Sequence, residues 1–209
     1  MSAITLYHYW RSSCSWRVRW ALHIKQIPHQ LKHINLLAGE QHMDAYKKIN
    51  PSASVPSLEV SGKFFGESLG IIEWLDETYP ANPLLPLDPV SRMYVRQLSY
   101  TIACGTQPLQ NLVAQKYYSS KKDEQEEYVR YWIARGLTAY EKILENGPYG
   151  SFSCGGEVTM ADLCLIPQCY NADRYLVDLN NFPILKGIYE RALKTEACEK
   201  AAPHHFIPK

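Results

Sequence analysis

The sequence predicts two domains of different grammar: a mixed α/β domain over residues 1–81 and an all-α domain over residues 88–209. Three observations carry this. Strand and helix periodicities alternate up to Tyr79 in the order βαβαββα, which argues for a small mixed sheet covered by helices. Four prolines between Tyr79 and Pro89 then mark a stiff linker. Beyond it the apolar spacing is helical throughout.

Ile4–Tyr9 reads as a short strand. Ser15–Lys25 is helical, with Trp16, Trp20 and Ile24 on one stripe. Leu31–Asn35 alternates weakly as a second strand, and a short polar helix is expected over Gln41–Lys48, stopped by Asn50-Pro51. Val55–Val60 and Lys63–Phe65 flank Ser61-Gly62 as a hairpin. Glu67–Tyr79 is helical, with Leu69, Ile72 and Leu75 on one face. In the second half, Asp88-Pro89 supplies an N-cap and a proline at N1. Gly105 and Pro108 interrupt the helix that follows. Another helix covers 123–145 and ends at Asn146-Gly147, and the next starts at Thr159, where Asp162 is placed to reach back as in a capping box. The last helices begin near Pro183 and Glu196.

A net charge of +1 gives no general attraction to nucleic acid or an anionic membrane, and no long apolar run suggests a membrane span or export signal. A cytoplasmic location is expected. The six cysteines form no CxxC pair, and no cysteine joins a histidine in zinc-site spacing, so neither a disulfide framework nor a metal is expected.

The chemistry concentrates in Arg11-Ser12-Ser13-Cys14-Ser15-Trp16-Arg17-Val18-Arg19. A strand that empties into hydroxyls and a thiol at a helix start points free backbone N–H groups at one spot, and that spot favours an anion. A helix start needs one cap, so the remaining groups are free for other work. Arg11, Arg17, Arg19 and Arg174 are expected on the surface with packed stems; any that face the site could grip carboxylates in bidentate fashion. Elsewhere, Val55-Pro56 is expected trans on local grounds, since only about 5–6% of X–Pro bonds in folded proteins are cis. Glu67-Ser68 opens a helix, and Ser68 reads either as its cap or as part of a carboxylate site.

Ser12-Ser13-Cys14-Ser15-Trp16-Arg17-Val18-Arg19 resembles the signature of the zeta-class glutathione transferases. Asn50-Pro51 with Val55-Pro56, Ser68-Leu69 before Ile71-Ile72-Glu73, and Leu84-Leu85-Pro86 are similar too. So are Gln107–Leu112, Thr159–Leu165, and Asn171-Ala172 with Arg174. The resemblance covers nearly the whole chain. It implies a glutathione transferase fold, with a thioredoxin-like domain followed by an all-α domain, in a homodimer. It makes Val55-Pro56 a cis-proline turn, with Val55 pairing to the cysteinyl backbone of glutathione. It assigns Glu67 and Ser68 to the γ-glutamyl end and places Gln41 near the peptide. It gives Ser13, Ser12 and Cys14 the catalytic position at the glutathione sulfur. From the helical half, Gln107 and Asn111 join the cofactor on the electrophile side, and Arg174, with Arg11, holds a small dicarboxylate substrate. Glu67, Gly70 and Trp20 depart from the class pattern, where Gln, Ala and a smaller aliphatic are usual, and the tail Pro203–Lys209 carries no class signal.

The activity implied is glutathione-dependent cis–trans isomerisation of maleylacetoacetate to fumarylacetoacetate in tyrosine and phenylalanine breakdown, by thiolate addition, bond rotation and elimination. The alternatives are maleylpyruvate isomerisation, glutathione transfer to α-halo acids, and a non-catalytic binding protein of the same fold.

Overall fold

The computed structural model describes residues 4–208 as two compact units. The first runs through Leu84 and takes back the segment from Glu196 onward; the second is Leu85–Thr195.

In the first unit, strand β1 (Ile4–His8) leads into helix α1 (Ser13–Ile24), followed by β2 (Gln30–His33), a 3-10 turn at Glu40–His42 and the short helix α2 (Asp44–Lys47). A hairpin, β3 (Ser57–Val60) and β4 (Lys63–Phe65), leads into α3 (Ser68–Thr78). The strand order is β2-β1-β3-β4, with β1 and β2 parallel and the other pairs antiparallel. This is the expected thioredoxin-like arrangement. Ser61 and Gly62 both take positive φ, as a two-residue hairpin turn matched to strand twist requires. Every residue of β1 is buried, which requires cover on both faces of the strand. Helices α1 and α3 pack together with Trp16, Val18, Trp20, Leu22, Ile72 and Leu75 buried, and Tyr7 enters a separate cluster with Tyr9, Tyr46 and Val55.

Register determines where function can sit. His8 pairs with His33, Tyr7 with Ser57, and Leu58 with Phe65. The C-terminal ends of β1, β2 and β4 and the N-terminal end of β3 therefore share one edge of the sheet. The segments carrying Ser12–Cys14, Gln41, Val55 and Glu67-Ser68 all leave from that edge.

Arg17 and Arg19, expected at the surface, are buried at 1% and 0% exposure. Two residues apart on a helix, they point to different sides of α1, and both sides are covered: Arg17 reaches Ser68 at the head of α3, and Arg19 reaches the loop after β1 and the returning tail. Arg19 Nε donates to Ala201 O (3.0 Å), Nη2 to Trp10 O (3.1 Å), and Nη1 to Tyr9 O (3.4 Å) and His8 Nδ1 (3.2 Å). The Phe206 ring lies 4.6 Å from its guanidinium carbon. Burial pulls the Arg19 pKa down to about 9, which leaves it cationic at neutral pH. A guanidinium has only donors, so His8 must present an unprotonated Nδ1.

These contacts explain why the segment from Glu196, expected in the helical domain, belongs to the first unit: helix α9 (Glu196–Ala201) packs on α1, and the 3-10 turn Pro203–Phe206 closes over Arg19. The linker is pinned as well. Lys25 Nζ donates to the carbonyls of Tyr79, Ala81 and Asn82 and pairs with Asp76 at 2.8 Å; Asp76 in turn accepts from Leu84 N–H.

The second unit is helical. It comprises α4 (Pro89–Ala103), α5 (Leu112–Tyr118), α6 (Lys122–Glu145), α7 (Met160–Arg174) and α8 (Pro183–Ala192). Asp88 Oδ2 caps α4 by accepting from Ser91 N–H. Asp162 Oδ2 reaches back to accept from Thr159 N–H and its hydroxyl, while Oδ1 takes Ser153 N–H. Helix α7 is buried almost throughout, packed by α4, α6 and α8. Helix α5 was not separately expected; it starts after the break at Gly105–Pro108 with Asn111 at its N-cap.

Burial, with Arg19, His33 and His29 adding to it, lowers the His8 pKa from 6.5 to about 3. The unfolded chain binds a proton near pH 6.5 that the folded chain refuses until about pH 3. The stability held by the neutral ring is complete above pH 6.5 and is lost as pH falls through that window, at about 1.4 kcal/mol per unit. His8→Asn, which keeps an acceptor for Arg19, should therefore show a flatter fall in melting temperature between pH 6.5 and 4.5 than the parent; parallel profiles would refute this. Lys25→Met should cost about 3–5 kcal/mol in urea denaturation by stranding the Asp76 carboxylate, with much of the loss recovered in Lys25→Met/Asp76→Leu.

Candidate active site

At the head of α1 the hydroxyls divide the work. Ser12 is the N-cap: its Oγ accepts from Ser15 N–H at 3.2 Å. Ser15 Oγ accepts from Tyr9 N–H at 3.4 Å and steadies the loop in front of the helix. Ser13 is buried in the first turn, and its hydroxyl takes no partner among the described residues. Cys14, half-buried beside it, is a free thiol. The sequence offered three polar side chains for one anion; the structure spends Ser12 on the cap and leaves Ser13 uncommitted at the positive end of the helix. Arg11 is half-buried, its guanidinium carbon 5.2 Å from the Trp10 ring.

Along the same edge, Val55-Pro56 is cis, against the local expectation and as the family resemblance implied. The loop is clamped from behind. Tyr46 Oη donates to Ser54 O (2.7 Å) and contacts Ser57 Oγ (3.1 Å), and Asn50 Nδ2 donates to Ser54 O (2.9 Å). Val55 makes no backbone hydrogen bond among the described residues, so its N–H and C=O can pair with an extended peptide.

Ser68 is the first residue of α3, and it is not the cap. The N-cap position is Glu67, whose side chain makes no capping bond. Ser68 Oγ instead accepts from the buried Arg17 Nη1 at 3.2 Å. A helix N-terminus, a hydroxyl and a cation thus converge on a place suited to a carboxylate. Glu67 has φ 62° and ψ 104°, a conformation that costs a non-glycine residue about 1–3 kcal/mol and is characteristic of sites where backbone direction matters. Its carboxylate is exposed and available to an ammonium. Gln41 donates weakly to Leu36 O, while its Oε1 is buried without a hydrogen-bond partner, an acceptor whose isolation is worth about 1–3 kcal/mol to a ligand that can donate to it.

These features fit glutathione. The tripeptide carries a carboxylate and an ammonium at one end, an extended backbone, amide donors and a thiol.

The remaining predicted residues lie in the helical unit. Arg174 closes α7, is exposed, donates to Asn171 Oδ1 at 3.1 Å and lies 5.4 Å from the Tyr175 ring. Gln107 is half-buried, and the side chain of Asn111 accepts from Leu112 N–H. Sequence reasoning missed what ties these segments together: the amides of Gln110 and Gln168 exchange two hydrogen bonds (2.8 and 2.9 Å), and Gln115 Nε2 donates to Gln110 O (2.6 Å) and Tyr175 Oη (3.5 Å). No local sequence signal pairs glutamines 58 residues apart. The predicted residues thus form two groups, one in each unit. Of the departures from the class pattern, Gly70 has open space where a Cβ would stand, and Trp20 is fully buried in packing.

Family models of the glutathione S-transferase N-terminal and C-terminal domains match residues 6–83 and 107–200. The chain is 44% identical over 199 residues to a probable maleylacetoacetate isomerase 2 of Drosophila melanogaster, covering 94% of this chain and 86% of that one. It superposes on a bacterial maleylpyruvate isomerase of the zeta class, solved in its holo form, with TM-score 0.95 at 33% identity, covering 98% and 99% of the two chains. It superposes on the maleylacetoacetate isomerase of Anaeromyxobacter dehalogenans with TM-score 0.88 at 37% identity over the full length of both; that enzyme holds dicarboxyethyl glutathione and citrate in its active site. With both domain models matched in order, and relatives of this class aligned end to end, the chain belongs to the glutathione S-transferase family, in its zeta class.

Proposed function

We propose that this chain isomerises maleylacetoacetate to fumarylacetoacetate, with glutathione as cofactor, in the breakdown of tyrosine and phenylalanine. The observation that carries this reading is the uncommitted Ser13 hydroxyl at the head of a helix whose cap is already supplied by Ser12. Bound glutathione supplies the nucleophilic thiolate. Holding a thiol about two pKa units below its ordinary 8.5 takes about 2.7 kcal/mol. The α1 N-terminus contributes about 0.3–1 kcal/mol, up to ~2 when partly buried. A hydrogen bond from Ser13 to an anionic sulfur contributes about 1.5–3. The two are sufficient without a histidine base or a metal ion. Val55, Gln41, Glu67 and Ser68 hold the peptide, with Gln107 and Asn111 assigned to its electrophile side. Arg174 and Arg11 grip the substrate carboxylates and offset the negative charge that develops as the double bond loses its order. The relative that holds dicarboxyethyl glutathione and citrate supports a dicarboxylate ligand.

A cytoplasmic homodimer completes the proposal. A stripe of exposed apolar side chains on α4, Val90, Met93 and Tyr100, supports a second copy as partner. No helix among the described residues is long and apolar enough to cross a membrane.

The high structural likeness to a maleylpyruvate isomerase favours one second reading, turnover of maleylpyruvate. Parallel assays with and without glutathione separate the two. Glutathione-dependent turnover with the higher kcat/KM on maleylacetoacetate is expected; the reverse preference selects the second reading, and inactivity on both refutes the proposal. Ser13→Ala should lower turnover at least tenfold, about 1.4 kcal/mol of barrier, and raise the thiol pKa of bound glutathione. Ser12→Ala should instead cost about 1 kcal/mol of stability as a lost cap. Arg174→Ala should raise KM for the dicarboxylate more than it lowers kcat.

A further inference from the structure

The two histidines of the tail motif Pro203-His204-His205-Phe206 have no role in the site above. The motif folds as a 3-10 turn directly after α9 and brings both imidazoles onto one carboxylate oxygen. His204 Nε2 lies 2.9 Å and His205 Nε2 3.0 Å from Glu199 Oε1, and the three atoms fall within 4.8 Å of one another. A late first-row divalent ion with metal–nitrogen and metal–oxygen distances of about 2.0–2.2 Å sets neighbouring ligand atoms roughly 2.8–3.6 Å apart, from octahedral to tetrahedral angles. Both nitrogen–oxygen separations already match that spacing. The two rings are adjacent, with centroids 4.1 Å apart and planes tilted by 44°.

The arrangement is also held in place independently of any ion. Ala201 O, at the end of α9, accepts from buried Arg19, and Phe206, next to His205, lies against both the Arg19 guanidinium and the His8 ring (5.6 Å). The ligand-bearing turn is thus fastened at both ends to the interior of the first unit while all three ligands remain exposed, so ion entry requires no opening.

We propose that Glu199, His204 and His205 form a surface site for a divalent transition-metal ion of the zinc and copper(II) type, with the remaining coordination positions left to water or a further ligand. Imidazole with one carboxylate suits these ions and discriminates against magnesium and calcium, which take oxygen ligands. The proposed isomerisation routes no step through a metal, so the site's occupancy and the isomerase activity are separable.

The test is titration of the chelator-stripped full-length protein, its thiols alkylated, with Zn2+ by calorimetry, and with Cu2+ by electron paramagnetic resonance. The expected result is one ion per chain and a copper spectrum with two nitrogen ligands. His204→Ala and His205→Ala should each weaken binding at least tenfold, and Glu199→Gln should do the same. These variants should keep the melting profile of the parent, because the three side chains are exposed. Absence of saturable binding to the parent protein overturns the proposal. So does binding that the double histidine variant retains, or a copper spectrum without two nitrogens.

Discussion

The buried guanidinium of Arg19 is the interaction on which the rest of the candidate site depends. Five protein groups use it: the carbonyls of Tyr9, Trp10 and Ala201, the His8 ring nitrogen and the face of Phe206. Tyr9 and Trp10 form the loop between β1 and α1, so the charge that satisfies their carbonyls also sets where the helix begins. A buried charge is tolerated only when its donors are spent. Here they are spent on three carbonyls outside the strands and on one ring nitrogen. The loop and the arginine each remove the other's desolvation penalty, and the position of Ser13 follows from that exchange.

A second constraint is topological. The parallel pairing of β1 with β2 and the antiparallel pairing of β1 with β3 and of β3 with β4 bring the ends of β1, β2 and β4 and the start of β3 to one edge of the sheet. Segments far apart in sequence therefore present complementary groups within one unit: unpaired backbone at Val55, an isolated acceptor at Gln41, and a cation-backed helix start at Ser68. Each is incomplete as folded, and together they describe a short peptide with a carboxylate and an ammonium at one end. Local costs at Glu67 and Gln41 are the ordinary companions of a surface shaped for something else to complete.

Much of this was legible in the residues. Strand and helix alternation, the Ser61-Gly62 turn, the Asp88 cap and the Thr159–Asp162 motif all express local rules, and each forms as those rules require. The Ser12–Ser15 cluster announced an anion site, but which hydroxyl served as cap depended on φ and ψ at one residue. The buried arginines were illegible for a different reason. Periodicity places Arg17 and Arg19 on α1, yet nothing local says that one of the carbonyls satisfying Arg19 arrives 182 residues later, at Ala201. The same distance hid the allegiance of the tail. A search for paired cysteine and histidine spacings also passes over Glu199, His204 and His205, because a proline turn rather than a regular helix brings them together. Cis geometry at Val55-Pro56 lay beyond local propensity and was legible only through family resemblance.

Ribosomes deliver a chain from its first residue onward, and here that order conflicts with the architecture. The unit bearing Ser13 starts first yet remains unfinished until Ala201 and Phe206 emerge, after the whole helical unit has been made. During that interval Arg19 holds a charge without its last two partners, and the side of α1 on which α9 will pack is open to solvent. The helical unit, continuous from Leu85 to Thr195, suffers no such delay. Assembly therefore runs against the reading direction: the second unit can be complete while the first still waits for its closing segment.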